Sequence, residues 1–360
     1  MSSDGMVKKQ RLVLLDLMRI VFALLIYARH SITMFGCSYG ASVNYRIRYL
    51  THPIMTGFFL LSGFAMFYSY SGKSLDNVSQ MKQFWIKRLI TIIPSYYLIH
   101  FLWLIFNRGQ FKEWLIMSPM ELTGTQSAYS SFFGILHNGG TWFVSCILFC
   151  YFLYPLIHTI ISKCSAKKLI VLGAILLLAD YYSEYLVSRY HLNTNYSNPW
   201  FRILEFSIGA IVCALMLKMP EKNALKCAMC GAVCVAVAAV VIYGLMHYSF
   251  GTTILRLSIP GVSVILMLSR SIKWKGNKVI SILSGMSYHF FLVQLILWDV
   301  SSKVLDVFGA SGNKVKIAVS LVCCTVISFL MYMCFDKPIK KIAMKALMKN
   351  NTETAPASNS

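Results

Sequence analysis

The chain has 360 residues, 57% of them hydrophobic and only 13% charged, and carries a net charge of +21 from 34 Lys and Arg against 13 Asp and Glu. A soluble domain has about 25% charged residues, so the composition excludes an ordinary soluble globular protein, and the high hydrophobicity excludes a disordered chain. A membrane-spanning helix needs about 20 apolar residues, so the expectation is an all-α polytopic membrane protein of about ten transmembrane helices, with no room for a second soluble domain.

Residues 1–11 form a short basic segment, residues 12–340 a single membrane domain, and residues 341–360 a polar tail that frays from Asn350. The ten apolar stretches are roughly 12–35, 52–70, 88–107, 132–161, 169–187, 200–217, 227–247, 253–269, 279–300 and 315–335. The first contains Arg19 and is not followed by a small-residue cleavage site, so it reads as a retained helix and not as a signal peptide. The fourth is long enough to tilt, or to start as an interfacial segment around 131–139. Cys227, Cys230 and Cys234 open the seventh stretch, and no second Cys/His pair stands nearby to complete a metal site, so packing is their expected role. Taken as N-in and C-in, the ten spans place most Lys and Arg on one side. They include Lys8, Lys9 and Arg11 before the first span, Lys163, Lys167 and Lys168 before the fifth, and Lys337, Lys340, Lys341, Lys345 and Lys349 after the last. Basic loops mark the cytoplasmic side. That accounts for the charge, and no nucleic-acid-binding motif is present.

Ionisable side chains inside apolar stretches are costly, about 2.5–3.5 kcal/mol at a helix centre, and are functional candidates by default. Here they are Asp16, Arg19, Arg29, His30, Arg202, Glu205 and Arg256. Arg29 and Arg256 lie near helix ends, where their heads reach toward water. Arg202 and Glu205 are three residues apart and can pair. Arg19 and His30 are eleven residues apart, about three turns plus 20°, so they share one face and stand about 16 Å apart along the axis. Asp16 precedes Arg19 by three residues and can hold its guanidinium. Two readings follow: a functional stripe with a cation at one end and an acid–base group at the other, or polar side chains that join helices.

Leu15-Asp16-Leu17-Met18-Arg19 and, ten residues beyond Arg19, His30 resemble the first-helix signature of the membrane acyltransferase-3 family. Other pieces follow in the family's order: Phe58-Phe59-Leu60-Leu61-Ser62-Gly63-Phe64, then Phe84-Trp85-Ile86-Lys87-Arg88 with Pro94 and Tyr96. Next come Trp142-Phe143-Val144 with Tyr151 and Pro155, Arg202 to Phe206 with Gly209, Ser287-Tyr288 with Leu292, and Asp336-Lys337-Pro338. Thr91, Ile147, Gln294 and Asp336 depart from the residues frequent at those places.

The resemblance implies an integral-membrane O-acyltransferase that moves acetyl from acetyl-CoA, a co-substrate and not a bound cofactor, to hydroxyls of a cell-surface or exported polysaccharide. It implies no metal. Its partners are the acyl-CoA donor, a glycan or other hydroxyl acceptor and the bilayer, with no nucleic acid, and its place is the plasma membrane as a multi-pass protein. It casts His30 as general base, with Arg19 beside it in catalysis, and Arg19, Lys87 and Arg88 as holders of the CoA phosphates. Trp142, Tyr151 and Arg202 become acceptor-pocket residues, Asp16 supports Arg19, and Ser62 is a close-packing small residue. A secondary transporter or channel, or acylation of a small secreted molecule, are the competing readings. Direct transfer along the stripe requires a continuous polar passage from Arg19 to His30.

Overall fold

The computed structural model describes residues 10–106, 111–128, 139–192, 194–310 and 312–353, and among them the regular structure is entirely helical. In a bilayer, a helix satisfies its own backbone polar groups, so this uniformity follows from the composition. The helices are α1 (Val13–Thr33), α2 (Ala41–Tyr70), α3 (Val78–Phe106), α4 (Phe111–Thr123), α5 (Trp142–Lys163), α6 (Ala166–Tyr181), α7 (Ser183–Arg189), α8 (Pro199–Lys218), α9 (Glu221–Val240), α10 (Phe250–Leu268), α11 (Lys278–Val307), α12 (Asn313–Leu330) and α13 (Lys337–Glu353). π-helical turns extend α9 over Val241–Leu245 and join α12 to α13 over Met331–Asp336.

Local chemistry sets several of the starts. Asn198 accepts a hydrogen bond from Trp200 N at 3.0 Å, with Pro199 in the first turn of α8. Asn277 receives Ile280 N at 2.9 Å to open α11, and Ser249 receives Thr252 N at 3.2 Å to open α10. Each cap satisfies a donor that the helix itself leaves unpaired.

Within the described residues, each of the ten expected apolar stretches overlaps a helix. Among those residues seven helices are long and apolar enough to cross a membrane, or eight if α6 and α7, bent by 43°, count as one span. The other two expected stretches are α1, which carries Asp16, Arg19 and Arg29, and α3, which carries Lys82, Lys87 and Arg88. Boundaries differ from expectation where a helix outruns its apolar part. α2 starts eleven residues before the expected 52 and runs through Pro53, and α3 starts at Val78 through a basic first segment. α5 starts at Trp142, not 132, and the interfacial segment expected at 131–139 lies almost wholly outside the described residues. The polar stretch after residue 340 continues as α13 to Glu353.

Helix ends gather at two opposite faces. At one, Tyr68 donates to Gln10 O (2.8 Å), Lys273 pairs with Glu221 (2.5 Å), Arg270 donates to Met219 O (3.0 Å), and Lys340 pairs with Asp336 (2.6 Å). This basic face holds the start of α1 and the start of α13. At the other, Ser38 N donates to Asn313 Oδ1 (3.1 Å) and the ring of Tyr45 packs on Phe250. Between the faces, α2 and α8 cross with backbones in contact: a Cβ at Gly63 would strike the carbonyl of Phe206, and one at Gly209 the carbonyl of Leu60. Small residues at such a crossing let helices approach where lipid offers no hydrophobic drive.

Candidate active site

Two chambers open from the two faces, and α1 contributes to both. The chamber at the basic face encloses about 380 Å³ and is lined by Arg11, Asp16 and Arg19, by Ser281, Ser284, Ser287, Tyr288 and His289 of α11, and by Lys340 of α13. Its deep end is apolar, with Met55, Phe58, Phe143, Ile147 and Phe291. The chamber at the opposite face, about 550 Å³, is lined by Arg29, His30, Arg48, Thr51, His52, Trp142 and Tyr196.

The expected pair Asp16–Arg19 is formed, Arg19 Nη1 to Asp16 Oδ1 at 3.2 Å. The same carboxylate takes Arg11 at 2.6 Å and the Ser284 hydroxyl at 2.7 Å. Asp16 therefore ties the start of α1 to α11 and sets two guanidiniums at the chamber mouth. Ser62 and Tyr151 also line this chamber, so Tyr151 stands on Arg19's side and not on that of His30. Arg88 packs against the rings of Tyr70 and Phe84 and donates to Tyr70 Oη at 3.1 Å. Neither Lys87 nor Arg88 lines the chamber; Arg11 and Lys340 line it together with Arg19.

His30 lines the other chamber with Nδ1 buried and without a hydrogen-bond partner. Gln294 of α11 stands beside it. Trp142 lines the chamber as expected, its ring 4.8 Å from that of Tyr196. Arg202 sits behind them, with Nη1 on the Glu205 carboxylate (2.6 Å), Nε on Tyr196 O (2.6 Å), and its guanidinium over the rings of Phe59, Trp142 and Tyr196. Thr56 donates to Glu205 at 2.7 Å. The pair expected from sequence is thus a buried strut that holds the aromatic wall.

Among the described residues, the chamber holding Arg19 and the chamber holding His30 do not merge, and none of those residues lines both. An aromatic layer separates them: the rings of Phe143 and Phe291 stand 5.3 Å apart, Phe58 packs on Phe143 at 6.0 Å, and Phe291 faces the His30 ring at 6.5 Å.

His289 is a polar residue that the sequence reading passed over. It is 1% exposed, and its Nε2 lies 3.1 Å from Ser95 Oγ and 3.8 Å from Asp336 Oδ1. Both neighbours approach the same nitrogen. The set is therefore not the ordered triad in which acid and nucleophile hold opposite nitrogens. Its Nδ1 is buried without a partner. An ionisable residue inside the apolar run 279–300 was the available signal. Arg11 and Lys340 gave no such signal, since loop cations are accounted for by topology.

A cation-rich chamber and an imidazole-bearing chamber, back to back on one helix, fit a reaction whose two substrates arrive from opposite sides. The family whose model is described as an acyltransferase domain, acyltransferase-3, matches residues 12–333. The chain belongs to the acyltransferase-3 family. No curated protein and no solved structure matches it. In this acyltransferase the matched segment covers α1 through the π-helical turn after α12, so both chambers are built almost wholly from the family domain.

Proposed function

We propose that this acyltransferase moves acetyl from acetyl-CoA, bound from the cytoplasm, to a hydroxyl of an extracytoplasmic polysaccharide. The observation that carries the proposal is that α1 delivers Arg19 to a basic chamber at one face and His30 to a second chamber at the other. The chain crosses the plasma membrane ten times, N-in and C-in. The basic face is cytoplasmic, because it collects Arg11, Lys273, Lys340 and the start of α13.

The CoA phosphates meet Arg11, Arg19 and Lys340, guanidinium being the stronger phosphate partner. The Nδ1 of His289 and the serines of α11 offer hydrogen bonds to the amides of the pantetheine arm. That arm is long and thin, comparable with the ~16 Å between Arg19 and His30. The acceptor enters from the other face. His30 takes the proton of its hydroxyl as the oxygen attacks the thioester carbonyl. The C–S bond then breaks, CoA departs as the thiolate and takes the proton from the imidazolium, and the acyl group remains as an ester. Direct transfer requires the rings of Phe143 and Phe291 to part.

The test is purified protein with labelled acetyl-CoA and a surface-glycan acceptor. Label in the glycan as a base-labile ester, with free CoA in equal amount, is the expected result. Flux of a solute without acetyl-CoA consumption would replace the reading with a transporter. An acylated protein seen by intact-mass spectrometry would replace direct transfer with a covalent relay.

A further inference from the structure

The His30 chamber is unbalanced in charge. Arg29 and Arg48 line it together with His30 and His52, and among the described residues no carboxylate does. Arg48 adds positive potential at Arg29. Arg29 is fixed through Nε, which donates to Thr51 Oγ1 at 2.8 Å, while its Nη1 is buried with no hydrogen-bond partner. Three other guanidiniums have a counter-ion or ring partners. Arg202 is ion-paired with Glu205, Arg19 with Asp16, and Arg256 lies over the rings of Tyr181 and Tyr248. Asp180, Glu184 and Glu205 line a separate pocket that shares His52, Thr252 and Leu255 with this chamber.

Arg48 is exposed and Arg29 only half-buried, so an oxyanion between them would relieve like charge that water now screens, and guanidinium forks suit carboxylate and phosphate geometry. We infer that the acceptor is anionic: an acidic glycan whose carboxylate lies between Arg29 and Arg48, with a neighbouring hydroxyl at His30. The Trp142 and Tyr196 rings supply flat faces for a sugar ring. At about 550 Å³ the chamber falls within the usual range of small-molecule sites, about 300–1,000 Å³, and has room for the charged residue and the acetylated one together. The inference rests on the acyl-transfer reading for its role, but the anion site itself does not.

The test uses the full chain in a neutral detergent, with one uronate-containing oligosaccharide and its methyl ester, which differ only in charge. Binding and acetyl transfer are measured separately. The acid is expected to bind and react about tenfold better than the ester, the worth of one charge-assisted hydrogen bond, and the preference should shrink as salt is raised. In Arg48→Gln, and separately in Arg29→Gln, the acid-to-ester ratio should fall below twofold. Because the ratio is taken within each variant, partial misfolding cancels. Equal use of acid and ester by the wild type would overturn the inference, as would a ratio that survives both substitutions. Acidic phospholipid vesicles that displace a bound acid only weakly support the glycan as the anion's source. Tight binding of the lipid with no acid preference overturns it in favour of a headgroup site. Acid-selective binding with no acetyl transfer to either sugar would sink the acyl-transfer reading and leave the anion site standing.

Discussion

His30 and Arg19 sit on one helix, and each is kept from being fully paired. Arg19 shares Asp16 with Arg11 and the Ser284 hydroxyl, so its guanidinium retains open donors toward the basic chamber. His30 retains an unpartnered Nδ1 in the other chamber. As the base, His30 predicts that His30→Ala lowers acetyl transfer by about 10²–10⁴-fold, the range of a lost general base, while the protein still purifies as a folded species. Wild-type turnover in that variant would remove His30 from the chemistry. Arg19→Ala is expected to raise the KM for acetyl-CoA more than Arg19→Lys does, since lysine keeps the charge and loses only the planar fork. Equal KM values in the two variants would show that the fork, not the charge, is what the donor needs. Arg202 and Glu205 answer a different question. Both are almost fully buried, at 1% and 3% exposure. Removing one partner of such a pair strands the other charge, at a cost of about 3–5 kcal/mol. Glu205→Gln should therefore lower the melting temperature sharply, and the loss of activity should follow the loss of folded protein.

At the scale of helices, the contact that organises both chambers is the crossing of α2 and α8, because α2 carries Met55, Phe58 and Ser62 into one chamber and His52 into the other. Gly63 and Gly209 bring the two backbones together, and a methyl group at either would meet a main-chain carbonyl that cannot move aside. Gly63→Ala and Gly209→Ala should each destabilise the detergent-solubilised protein at least as much as a typical overpacked core, about 1–3 kcal/mol, read as a fall in melting temperature. A double variant no worse than either single one would confirm that both act at the same crossing. The helices themselves were legible in the sequence, because long apolar runs with few charges have one structural solution in a membrane. Their ends were not. α2 runs eleven residues ahead of its apolar part, through Arg46, Arg48 and Pro53, where hydropathy gives no cue that the helix continues. The Arg19–Asp16 and Arg202–Glu205 pairs were legible because three-residue spacing on a helix dictates contact. The placement of Lys340 in Arg19's chamber was not, since it depends on how α13, continuous with α12 through a π-helical turn, packs against the rest of the fold. Nor was the aromatic layer: Phe143 and Phe291 are apolar residues in apolar runs, and only tertiary packing distinguishes them from their neighbours.

Across the whole molecule, that layer stands between the two chambers proposed for the two substrates. The basic chamber ends against Phe58, Phe143 and Phe291, and His30 lies just beyond Phe291. On the proposed reading, an acyl-CoA seated at Arg19 would reach toward an apolar plug before it reached His30. The plug has a chemical consequence. A thioester held beside an imidazole with water present is open to hydrolysis, and an apolar seal keeps water from the donor until an acceptor has filled the far chamber. The rings come from α5 and α11, and His30 from α1. Replacing Phe291 with Ala shortens the seal at the point nearest His30 without touching a charged residue. The expected outcome is an increase of several-fold in acetyl-CoA hydrolysis in the absence of acceptor, with a smaller fraction of the consumed acetyl appearing on glycan. Phe291→Trp, which thickens the seal, should slow transfer and leave hydrolysis low. Both rates come from one assay, with free acetate and glycan ester separated by chromatography. If Phe291→Ala left the ratio of acetate to ester as in the wild type, the aromatic layer would be packing alone, and the two chambers would have to communicate by another route.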